Sequence, residues 1–87
     1  MPGHYVYVLF SPSHKRTYVG ESEDHRLRLR QHNAGKVRST KAYRPWVSIH
    51  VESHATRPEA LKRERWYKTP VGRGKIASLL KQGGVAP

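Results

Sequence analysis

Apolar and polar positions change their period several times along the chain, and each change marks an element. Residues 4–10, His-Tyr-Val-Tyr-Val-Leu-Phe, form an unbroken aromatic and β-branched run, which predicts a strand. Ser11, Pro12, Ser13, His14 and Lys15 are turn chemistry: Pro fixes φ and Ser satisfies local backbone groups. Residues 16–20, Arg-Thr-Tyr-Val-Gly, predict a second strand, and so short a link implies an antiparallel hairpin. Ser22, Glu23 and Asp24 offer polar caps, and their acids suit the positive end of a helix dipole. A helix is expected from about residue 24 to 33. Its apolar face is thin, because Leu27 and Leu29 make no helical stripe. Asn33, Ala34 and Gly35 form its stop, with Gly able to take the left-handed conformation.

Residues 36–44 form a polar, basic loop. After Pro45, Trp46, Ser48, His50 and Glu52 alternate with Val47, Ile49 and Val51, the period of a third strand with one buried face. Thr56, with Glu59 three residues on, is a capping box, and Pro58 is tolerated in a first turn. The helix it opens is expected to run to about residue 68 and end before Pro70. Gly72 and Gly74 flank Arg73 ahead of a last short helix, about 75–81, closed by Gly83 and Gly84; the tail 85–87 is expected to be loose. The order β-β-α-β-α-α, without repeat or linker, predicts a single α+β domain over residues 1–87. Its architecture should be a small, mainly antiparallel three-stranded sheet flanked by helices.

Charge narrows the partner. Seventeen Lys and Arg face six Asp and Glu, a formal net charge of +11. A surface of that sign attracts polyanions, of which nucleic acid is the usual one. The absence of cysteine excludes disulfide staples and Cys-based zinc sites. No apolar run approaches the ~20 residues of a membrane span. The opening Met1, Pro2, Gly3, His4 lacks a signal peptide's charged start and apolar centre, so a soluble, cytoplasmic protein is expected.

Several residues stand out as chemistry on this scaffold. Tyr7 and Tyr18 sit on the two hairpin strands, Arg28 and His32 lie four apart on one helix face, and Glu64 is a lone acid among Lys62, Arg63, Arg65 and Lys68. Each has a plain alternative. The tyrosines suit cross-strand packing, His32 suits the negative end of a helix, and Glu64 suits an i,i+4 pair with Lys68. Trp46 fits either the core or a base-stacking platform. His50 and His54 fall on a strand and its loop, which does not favour zinc.

In this order the residues resemble the GIY-YIG nuclease superfamily. Tyr5, Val6 and Tyr7 stand where its first triplet belongs, and Tyr18, Val19 and Gly20 where the second belongs. The segment 24–35 looks like the family's helix, with the key Arg at Arg28; Arg26 and Arg30 flank it, and the step to His32 selects Arg28. Gly35 and Lys36, Thr40, the run Arg44-Pro45-Trp46, the stretch 59–64 and Gly72-Arg73 resemble the small bacterial single-domain branch, so the likeness spans about residues 4–75. It implies a metal-dependent endonuclease that hydrolyses phosphodiester bonds, with Tyr7, Tyr18, Arg28, His32 and Glu64 in the site. A single Mg²⁺ or Mn²⁺ on Glu64 suits a chain with so few carboxylates, since Mg²⁺ is commonly held by one or two of them plus waters and phosphate oxygens. Lys36, Thr40, Lys41, Arg44, Arg63 and Arg73 are the candidate nucleic-acid contacts. The substrate is expected to be DNA, with single-stranded and branched forms open. A binding module without catalysis is the alternative on the same scaffold.

Overall fold

The computed structural model describes residues 3–82. Three strands and three helices follow in the expected order: β1 His4–Ser11, β2 Arg16–Ser22, α1 His25–Asn33, β3 Val47–His54, α2 Arg57–Tyr67 and α3 Pro70–Gln82. The sheet order is β2-β1-β3, antiparallel throughout, which makes β1 the central strand. That position explains its unbroken apolar run, because both faces of β1 are covered. Val6, Val8 and Phe10 pack with Ala60, Tyr67, Ile76 and Leu80 of α2 and α3. Tyr7 and Leu9 pack on the other face with Trp46, Tyr18, Leu29 and Tyr43. The domain therefore has two small cores separated by one strand. Among the described residues no helix is long and apolar enough to cross a membrane.

The local signals in the sequence act as expected. Asp24 caps α1, its side chain accepting from the Leu27 amide at 3.0 Å. Gly35 closes the helix at φ 79°. Thr56 and Glu59 make both halves of the capping box on α2, at 3.3 Å and 3.2 Å. Within the basic loop, Lys41–Tyr43 form one 3-10 turn.

Two expectations about the third strand are corrected. Trp46 precedes β3 rather than opening it. Its backbone amide donates to the Asn33 side chain (2.7 Å) and its carbonyl accepts from it (3.0 Å), so neither group is free for the sheet. β3 also lacks a single buried face. Moving from Val8 to Leu9 on β1 passes from His50 to Ser48 on β3, so Ile49 is an extra, bulged residue. The bulge sends Ile49 to the α2 side while Val51 faces the α1 side, and Val47 is left exposed.

The last helix starts five residues before the expected 75. Pro70 occupies its first turn, where a missing N–H costs nothing, and the Thr69 hydroxyl accepts from the Gly72 amide at 3.2 Å. Gly72 is a packing residue here rather than a breaker. A Cβ on it would collide with the Trp66 carbonyl and the Tyr67 Cα, so α3 crosses α2 at backbone contact, whereas Gly74 has open space around it. The expected stop at Gly83-Gly84 and the tail lie outside the described residues. We expect Gly72→Ala to cost about 2 kcal/mol or more and Gly74→Ala to gain roughly 0.5–1 kcal/mol. Urea unfolding of the two variants checks this; equal effects would mean that the crossing is not set by Gly72.

Candidate active site

The register of the hairpin sets the site. Tyr7 pairs with Gly20 and Leu9 with Tyr18, so Tyr7 and Tyr18 share the sheet face that α1 covers. Gly20 is required for that arrangement: a Cβ there would collide with Tyr7 Oη and lie 2.6 Å from its Cζ. The Tyr7 ring thus occupies the space that a side chain opposite it would fill. His32 closes the group from α1, its ring centroid 5.8 Å from Tyr7 and 4.9 Å from Tyr18.

A chain of hydrogen bonds runs through this cluster. Tyr7 Oη lies 3.0 Å from His32 Nε2, and His32 Nδ1 lies 2.7 Å from Thr40 Oγ1. The Thr40 hydroxyl donates to the Val37 carbonyl at 3.3 Å, so towards His32 it is the acceptor. This assigns the imidazole proton to Nδ1 and leaves Nε2 to accept from the Tyr7 hydroxyl. Tyr7 then keeps an oxygen lone pair for a further donor, such as a water. Burial, followed by the charge of Arg28, pushes His32 down to about 4, which matches one proton on the ring at neutral pH. Burial and then Tyr18 push the Tyr7 phenol up to about 12; the Arg28 guanidinium opposes the rise and the Glu64 carboxylate adds to it.

Arg28 and Glu64 therefore both act on the same phenol. Arg28 is half-buried, with Nη1 donating to Gln31 Oε1 at 3.1 Å, while Arg26 and Arg30 are exposed on the far side of α1. Glu64 sits on α2 with Oε2 2.9 Å from Lys68 Nζ. Among the described residues no group of three or more His, Cys, Asp or Glu is placed to hold a metal. An all-protein cage is thus absent there. The donor set fits a hard cation resting on Glu64 and completed by waters and substrate oxygens.

The expected nucleic-acid contacts divide. Lys36, Lys41, Arg44 and Arg73 are exposed. Thr40 is not a surface contact: it is 1% exposed, and its hydroxyl is spent on His32 and Val37. Arg63 is engaged elsewhere, donating twice to Glu52 (2.9 Å and 3.2 Å) and stacking over Trp66 at 4.0 Å. His50 and His54 also converge on Glu52, at 2.9 Å and 3.3 Å, and Tyr67 donates to it. Burial alone would raise the Glu52 carboxyl, but the bonds from Arg63, Tyr67 and His50 outweigh it and hold it at about 2. Trp46 is core, 3% exposed, with Nε1 donating to the Thr40 carbonyl at 2.9 Å. Sequence reasoning missed Asn33, whose side chain clamps Trp46, and the buried role of Thr40. Their signal, a polar residue at the end of a helix and another in a loop, is shared by many surface positions.

Comparison with known proteins assigns the chain to one class. The sequence model of the GIY-YIG catalytic domain matches residues 3–77. The chain belongs to the GIY-YIG nuclease family. UPF0213 proteins of Staphylococcus aureus strains Mu3 and Mu50 are 35% identical to it, over 94% of this chain and 99% of theirs. The solution structure of the UPF0213 protein BH0048 from Bacillus halodurans is similar, with TM-score 0.53 and 25% identity over 88% of this chain and 84% of that one.

The depressed His32 makes stability depend on pH. Its folded value near 4 lies below the ordinary 6.5, so the unfolded chain takes up that proton first as pH falls. His32 should therefore cost nothing above pH 6.5 and remove about 3 kcal/mol of stability by pH 4. Glu52 works lower: its contribution is full above 4.5 and is lost towards pH 2. Urea unfolding of wild type and His32→Gln from pH 8 to 4 should show wild type losing stability relative to the variant. Parallel curves would mean that His32 is not held neutral.

Proposed function

We propose that this chain is a metal-dependent endonuclease that hydrolyses the phosphodiester backbone of nucleic acid, with DNA as substrate. The observation that carries the reading is the hydrogen-bond chain from Tyr7 through His32 to Thr40, ordered inside the domain, with the charges of Arg28 and Glu64 both bearing on the Tyr7 phenol. A buried chain of this kind satisfies the Tyr7 hydroxyl and at the same time holds its oxygen in a fixed place.

Four of the other five carboxylates support the role of Glu64 by contrast. Asp24 and Glu59 cap helices, Glu21 pairs with His4 and Arg57, and Glu52 ties β3 to α2, while Glu23 is exposed before α1. Glu64 has only an exposed lysine as a partner among the described residues. In this reading Arg28 stabilises negative charge developing on a phosphate, with the planar two-pronged donor that suits it. Tyr7 receives a hydrogen bond from the attacking water and orients it, its own proton held towards His32. With Tyr7 near 12 and His32 near 4, neither carries charge at neutral pH. A divalent ion bound at Glu64 would supply the acidified water and charge neutralisation that two neutral groups do not. Tyr18 packs against His32 and lines the same face. Lys36, Lys41, Arg44 and Arg73 supply phosphate contacts around it.

Glu64→Ala is expected to abolish cutting and to keep, or slightly raise, affinity, since an anion near phosphate is removed. Cleavage with Mg²⁺ over single-stranded, duplex, branched and RNA substrates, with anisotropy in EDTA, measures both; full activity in the variant would sink the reading. Arg28→Ala and Arg28→Lys should each lose on the order of 10²–10³ in single-turnover rate. Arg26→Ala and Arg30→Ala should lose little, being turned roughly 160–200° away on the helix. The reverse pattern would reassign the helix face.

A further inference from the structure

Lys68 stands between Glu64 and an unassigned cleft. Its ammonium lies 2.9 Å from Glu64 Oε2, one helical turn along α2. The same side chain lines a cleft of about 440 Å³ between β2 and the two C-terminal helices, together with Thr17, Tyr18, Tyr67, Arg73 and Ile76. Tyr18 belongs both to this cleft and to the ring cluster around His32, so cleft and candidate site share one wall residue. The Lys68 side chain is 58% exposed and the Glu64 side chain 21%, so the carboxylate is the fixed partner and the lysine the free one.

We propose that Lys68 is a stand-in cation: it neutralises Glu64 in the ion-free protein, and turns into the cleft beside Arg73 to hold a nucleic-acid phosphate when Glu64 is engaged by a divalent ion. The proposal rests on the reading of Glu64 as metal ligand. The physical case has three parts. An exposed i,i+4 pair is weak, so a divalent ion competes for the carboxylate with ease. The four-carbon stem of Lys lets the charge swing without moving the helix. The exchange keeps Glu64 compensated in both states, so that the ion-free protein does not present a bare anion to an approaching phosphate. Arg63, one residue before Glu64, cannot play the part, because its guanidinium is held by Glu52.

Lys68→Met keeps most of the stem and removes the charge. In the full-length chain without nucleic acid, broadening of backbone amide signals near residue 64 by Mn²⁺ reads ion affinity. The variant is expected to bind Mn²⁺ about two- to fivefold more tightly, the range an exposed ion pair allows. A second arm reads the anisotropy of a labelled oligonucleotide over a salt series, with Ca²⁺ or with EDTA. With Ca²⁺ the slope of log affinity against log salt should fall by about 0.7–0.9 in the variant, one phosphate's share. With EDTA the two proteins should give equal slopes. Unchanged Mn²⁺ affinity, or a slope change that is the same with and without the ion, overturns the proposal. Glu64→Gln separates the two levels. Wild-type Mn²⁺ binding in that variant overturns the ligand reading itself. Lost binding there, with unchanged binding in Lys68→Met, overturns only the role of the lysine.

Discussion

A hydroxyl carried into a strand that is covered on both faces must have a partner, because an unpaired buried polar group costs on the order of 1–3 kcal/mol. Tyr7, 2% exposed at the centre of β1, sets that demand, and much of the domain is arranged to answer it. His32 on α1 accepts its hydrogen bond, Thr40 in the following loop accepts from His32, and the Thr40 carbonyl accepts from the Trp46 indole. Asn33 then clamps the backbone of Trp46 just before β3 begins. Gly20 on β2 leaves the space in which the Tyr7 ring lies. One polar chain thus registers both flanking strands, α1 and the basic loop against the central strand, and any broken link leaves its neighbour unpaired.

The opposite face of the sheet solves a different problem. Glu52 brings a carboxylate into the contact between β3 and α2, where burial opposes its charge. Arg63, Tyr67, His50 and His54 surround it, and Arg63 stacks on Trp66 as it does so. A chain of net charge +11 strains against its own repulsion, and it places a scarce acid where a guanidinium, two imidazoles and a phenol converge. The cations left on the surface are then free for an external anion. This division explains why sequence position alone misjudged Arg63: a basic residue beside Glu64 is indistinguishable in the sequence from one bound to an acid on another element.

The candidate site was legible to the extent that its parts are close in sequence or follow the family order. Arg28 and His32 share a face because four residues make nearly one helical turn, and the hairpin brings Tyr7 near Tyr18 because its turn is short. That Glu64 acts on Tyr7 from α2 was accessible only through the resemblance, since 57 positions separate them in the numbering. The state of His32 was not legible at all. A histidine in the last turn of a helix is usually an exposed cation favoured by the dipole; here it is fully buried and neutral, because the ring fills the gap between two tyrosines.

The sequence by itself determined the elements and their order. The signals for these act within about four residues: the apolar run of β1, the Asp24 cap, the left-handed Gly35 and the Thr56–Glu59 box. It also determined the sign of the surface, which is a sum over residues and needs no fold. Tertiary structure decided where an apparent local signal yields to a distant partner. Trp46 left the strand pattern for the Asn33 clamp, Ile49 bulged and changed faces, Thr40 went inside to serve His32, and Gly72 became a helix crossing instead of a helix break. Each of those outcomes turns on a contact between different elements or on the pairing of two strands, and neither a propensity nor a period carries that information.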